Sequence, residues 1–86
     1  MKAIHKYNVG KGGGTVTMPH GAEVLSTQVQ HGLLCVWAVV DLEVELTEER
    51  VVRVYTTGEH GEFPGEYAGT VQFNEGTLVL HVFVEI

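Results

Sequence analysis

The sequence has one cysteine, so no internal disulfide can brace it. Cys35 lies in the middle of the most apolar stretch, where a thiol is buried rather than reactive. The one serine, Ser26, stands outside any nucleophile-elbow motif. The five histidines, His5, His20, His31, His60 and His81, form no His-x-x-x-His pair, and there is no Cys-x-x-Cys. Nucleophilic catalysis and a zinc site therefore have no local support, and no catalytic residue, metal or cofactor is assigned. No apolar run approaches the roughly 20 residues a membrane helix needs. The opening Met1-Lys2-Ala3-Ile4-His5 has no apolar signal core, and the lone thiol fits a reducing cytoplasm. Basic residues are also few: 5 Lys and Arg stand against 11 Asp and Glu, for a net charge of −6. Such a surface repels phosphate backbones, which argues against general nucleic-acid binding. A small nucleotide stays admissible, because one arginine and a few backbone amides can hold it.

What is present is strand. The 86 residues make one domain, 1–86, with a thin core. At its centre lies AEVLSTQVQHGLLCVWAVVD, Ala22 to Asp41, with His31-Gly32 as a tight hairpin turn. Leu33 to Val40 is apolar at every position, and such a strand has two faces to cover. One short chain covers both with difficulty, so a homo-oligomer is expected. Further strands are read at Lys2–Val9, Thr15–Met18, Val51–Thr57, Glu66–Phe73 and Thr77–Ile86. Alternation puts Leu25, Thr27 and Val29 on one face of the strand before His31, and Leu78, Leu80, Val82, Val84 and Ile86 on one face of the last strand, whose other face is half apolar with Val79, His81 and Phe83. Lys2 to Val9 has no clean apolar face and two lysines, which suits an edge. Gly10 to Gly14 reads as a hairpin connection, and Gly69 as a bulge or a close backbone approach. Asp41 to Glu49 reads as an acidic connection, with Thr47 to Arg50 turn-like. The expected fold is all-β, with six to seven mainly antiparallel strands in a sandwich or partly open barrel.

The row most suited to a ligand lies on the fifth of these strands. With Val52 and Val54 inward, Arg53, Tyr55 and Thr57 share the opposite face. They present a guanidinium fork, a ring with a hydroxyl, and a second hydroxyl. Gly58 and His60 follow in the irregular loop GEHGEFPG. The only tryptophan, Trp37, is a stacking platform or, more commonly, core. Gln28 projects from a polar strand face and could complete a hydrogen-bonding site. Arg53 paired to a nearby glutamate on an ordinary solvated face is the plainer alternative.

Several stretches resemble a family of small phage and prophage proteins, mostly without assigned function. They are MKAIHKY, VTMPHGAEVLSTQVQHG, WAVVD, TEERVVRVYTTGEH, GEYAGTVQF and LVLHVFVE, and they cover most of the chain. The family type has a simpler Thr-Gly-His loop, whereas here Glu59 stands between Gly58 and His60. The GKGGG loop also departs from the type. Small phage β proteins often act against bacterial immunity, and one class are oligomeric sponges that bind signalling nucleotides without cleaving them. The resemblance implies such a role in the cytoplasm of the bacterial host. A protein–protein module, as a host-takeover factor or accessory virion part, is the alternative.

Overall fold

The computed structural model describes residues 1–10 and 12–86. Lys11, in the glycine loop, lies outside the described residues. The strands are β1 (Lys2–Asn8), β2 (Gly14–Pro19), β3 (Glu23–Gln30), β4 (Leu33–Asp41), β5 (Thr47–Thr56), β6 (Glu66–Phe73) and β7 (Leu78–Glu85). They form two antiparallel sheets: β1-β4-β3, here sheet A, and β2-β5-β7-β6, here sheet B. Neither sheet closes into a barrel. The two stack through one core in a flat body of 41 × 29 × 16 Å.

Pleating decides what enters that core. Leu34, Val36, Ala38 and Val40 point inward from β4, facing Val52 of β5 and Leu80, Val82 and Val84 of β7. Met18 of β2 is fully buried among them. The core is aliphatic, with Phe73 its one buried aromatic. β4 is central in sheet A and β1 is an edge, in keeping with its two lysines. The β3–β4 hairpin turns at His31 (φ 53°) and Gly32 (φ 76°), the positive pair of angles that matches strand twist.

Several expectations change. β1 does not form a hairpin with β2, because β1 lies in sheet A and β2 in sheet B. There Gly13 (φ 87°) lies so close to β5 that a Cβ would stand 2.5 Å from the Val52 carbonyl oxygen. Thr47 to Arg50 is strand, not turn, and pairs with Pro19 to Val16 of β2. A polar run can enter the ladder here because its inward charge is satisfied. The 6% exposed Arg50 donates to Glu48 Oε1 at 2.7 and 2.9 Å and to the Ala22 carbonyl at 2.8 Å. The inner face of β3 is Val24, Thr27 and Val29 rather than Leu25, Thr27 and Val29. A bulge between Val24 and Ser26 inserts one residue and turns Leu25 outward.

Gly69 fulfils both of its expected roles. β6 shifts register between Tyr67 and Gly69, and a Cβ on Gly69 would lie 2.8 Å from Thr27 Cγ2 of β3. The two sheets thus meet closely along β3 and β6. The outer face of β4 is also better covered by its own chain than its composition suggests. Cys35 is buried beneath a contact from Sγ to Asn8 Oδ1 at 3.1 Å, and Lys6 Nζ reaches Gln30 Oε1 at 2.7 Å. Ile4, Leu25 and Leu33 remain exposed on that side.

Candidate functional site

The site follows from strand order. β7 lies between β5 and β6, and both are antiparallel to it. β5 ends where Thr56 pairs with Leu80, while β6 begins where Glu66 pairs with Val84. Residues 57–65 must therefore run back along the sheet and over β7. The inner face is filled by the core, so this strap crosses the outer face. Phe63 anchors it. Its ring stacks on Phe83 at 6.0 Å and meets Tyr55 edge-on at 4.8 Å. Tyr67 closes the row at 5.6 Å from Phe83. Phe63 has φ 49°, an uncommon conformation for a bulky residue, at a cost of about 1–3 kcal/mol. Ring packing holds it there.

Polar groups form a chain along the same face. His81 Nε2 lies 2.8 Å from Thr57 Oγ1, and its Nδ1 lies 3.1 Å from Thr70 Oγ1. The Tyr67 hydroxyl is 2.6 Å from Thr70 Oγ1. At the start of the strap, Thr56 to Glu59 makes a tight turn closed by Glu59 N–H donating to the Thr56 carbonyl at 3.1 Å. Glu59 Oε2 folds back to accept from Thr56 N–H at 2.9 Å. Together these groups line a cleft of about 260 Å³ among Tyr55, Thr57, Glu59, Phe63, Tyr67, His81 and Phe83. Four of the chain's seven aromatic residues are here rather than in the core.

The chain matches a known family over its whole length, residues 1–86: the domain of unknown function DUF7352. The protein belongs to that family. No curated protein and no solved structure matches it.

A second depression, of about 340 Å³, also has Tyr55 in its lining. It is lined by Gly12 to Gly14 and by Val51 to Tyr55, including Arg53. Arg53 Nε donates to Glu85 Oε2 across the β5–β7 pair. That carboxylate raises the Arg53 pKa further above its ordinary range, so the guanidinium stays charged. A third, larger depression of about 430 Å³ at one end of the sandwich is lined by Arg50 with Glu23, Glu66 and Glu85. Its cation is already committed to Glu48 and Ala22, which leaves an acidic rim with little to hold an anion.

Of the residues expected at one site, Tyr55, Thr57 and Gly58 line the cleft, and Arg53 lies beside it. His60 is exposed in the strap and does not line the cleft, since Glu59 takes the position at the turn. Trp37 and Gln28 lie on the outer face of sheet A, across the core from Tyr55, because their neighbours Val36, Ala38 and Thr27 point inward. One chain cannot bring them to Arg53. Phe63, Tyr67, His81, Phe83 and Glu59 also line the cleft, and the sequence left them unassigned. The half-apolar Val79-His81-Phe83 face of the last strand was their one visible signal. Among the described residues, no three His, Cys, Asp or Glu side chains cluster to hold a metal ion, and no helix is long and apolar enough to cross a membrane.

Proposed function

We propose that this protein is a non-catalytic, self-associating binder that sequesters a small nucleotide signal, of cyclic dinucleotide or cyclic ADP-ribose type, in phage defence against bacterial immunity. The observation that carries this reading is the pair of depressions on sheet B that both have Tyr55 in their lining. The aromatic cleft, at about 260 Å³, suits a single base rather than a whole nucleotide. The remainder of the ligand extends past Tyr55 to Arg53 and the glycine backbone. Nε of Arg53 serves Glu85, and the guanidinium has further donors for a phosphate. The resemblance to small phage proteins supports the biological role by analogy.

Calorimetry with a panel of cyclic dinucleotides and cyclic ADP-ribose species tests the binding. Heat is expected from at least one, and none from the whole panel overturns the reading. Arg53→Ala and Phe63→Ala each weaken the bound ligand at least about tenfold, as expected for losing a charge-assisted contact or an aromatic wall. Ligand released by heating and recovered intact supports sequestration; a cleaved product overturns it.

The outer face of sheet A supports the self-association. Ile4, Leu25 and Leu33 are 64%, 45% and 43% exposed around the half-buried Trp37 and Val39. The same face also favours a second reading, in which another protein docks there. Native mass spectrometry separates the two, with copies of the chain alone expected.

A further inference from the structure

We infer that the cleft selects guanine over the other bases through the Glu59 carboxylate. This rests on the cleft being the base site proposed above. Most polar groups of the cleft are already committed to one another. Both ring nitrogens of His81 engage threonine hydroxyls, and Tyr67 engages Thr70. The Glu59 carboxylate is different. Oε2 is held by Thr56 N–H, which fixes the group at the rim, while Oε1 has no hydrogen-bond partner among the described residues. It is an acceptor with lone pairs to spare on both oxygens.

An ionised carboxylate accepts and does not donate, so its best planar partner presents two donors side by side. Guanine does this with N1–H and the N2 amine. Adenine and cytosine set an acceptor nitrogen beside their amine, and uracil flanks its N3–H with two carbonyl oxygens. Each of these turns a lone pair toward Glu59. The rings of Tyr55, Phe63 and Phe83 provide apolar walls for any base and do not discriminate among them. Glu59 does, through a charge-assisted contact at the exposed rim of the cleft.

Charge placement agrees. Along β5 the order is Arg53, Tyr55, then the turn carrying Glu59. A nucleotide laid along this row puts its phosphate at the cation and its base edge at the carboxylate. The reverse orientation sets phosphate against Glu59 and is repelled.

The test is calorimetric titration of the intact chain with guanosine, inosine and adenosine 5′-monophosphates. Guanosine monophosphate is expected to bind roughly 5- to 150-fold tighter than adenosine monophosphate, the range for one bidentate base contact. Inosine monophosphate, which keeps N1–H but lacks the N2 amine, falls between them. Glu59→Gln retains an acceptor for Thr56 N–H but sets an amide donor against the guanine donors. Its amide donor faces the adenine ring nitrogen while its oxygen stays on Thr56 N–H, so the variant weakens guanosine monophosphate, binds adenosine monophosphate at least as tightly as the unaltered chain does, and leaves the melting temperature nearly unchanged. Equal binding of the guanine and adenine nucleotides, or a preference that survives Glu59→Gln, overturns the inference and leaves the nucleotide reading intact. No binding of any of the three also overturns the inference, and the panel of cyclic nucleotides then decides the reading beneath it.

Discussion

The two outer faces of this sandwich are made by the same strand alternation and have opposite chemistry. Sheet A turns out Ile4, Leu25, Leu33 and Trp37 among the polar Lys6, Ser26, Gln28 and Gln30, two of which bond to each other. Sheet B turns out Tyr55, Phe83, Tyr67 and His81, and the 57–65 strap crosses them with Phe63. The first is suited to burying area against another protein surface. The second is concave, aromatic and edged with hydroxyls and one carboxylate, which suits a small planar ligand. The strap causes the difference. It converts an exposed sheet face into a cleft, and only sheet B needs such a strap, because only there do consecutive strands start and finish at opposite ends of the sheet.

The largest test acts on what both faces share. Leu34 is fully buried in the common core, so Leu34→Ala costs about 2–5 kcal/mol in denaturant unfolding. Ligand binding and self-association should fall together with the folded fraction. A more selective test separates the faces. Trp37→Ala should weaken self-association by about 2 kcal/mol, the value for a central aromatic anchor, in analytical ultracentrifugation. Nucleotide binding should be unchanged. A loss of binding instead would show that Trp37 reaches the cleft of a neighbouring copy and that the faces act together.

The smallest effect concerns the end of the sandwich between the faces. Hydrogen bonds from Arg50 hold the Glu48 carboxyl below the usual carboxylate range, against the opposing pull of desolvation. A depressed folded pKa means that this stabilisation is present above the unfolded value and is lost as pH falls through the folded one. Unfolding stability should therefore decline on acidification below the ordinary carboxylate range. Glu48→Gln should flatten part of that decline, read from melts across an acid pH series. An unaltered acid profile would remove Glu48 from the account.

Much of the fold was legible in local pattern. Alternation and turn residues located the β3–β4 hairpin, the central β4, the edge β1 and the aliphatic inner row of β7. The misplaced elements have definite causes. TEER has no apolar residue to mark a strand, and it becomes one only because Arg50 finds Glu48 and the Ala22 carbonyl across the fold. Leu25 looks inward by alternation and points outward because a bulge breaks the count. Half of the site was visible: Arg53, Tyr55 and Thr57 do share a face. His60 was joined to them because it follows in the loop, and Trp37 and Gln28 by residue type; within one chain, geometry parts them.

By itself the sequence determined that this chain is all-β, where its turns fall and which side of most strands is apolar, because these depend on neighbours two residues apart. Only the tertiary structure decided that β7 lies between β5 and β6. That order is a long-range pairing with no local signature. It sends residues 57–65 across the sheet, brings Phe63 onto Phe83, and makes a cleft from side chains that a linear pattern leaves on separate strands.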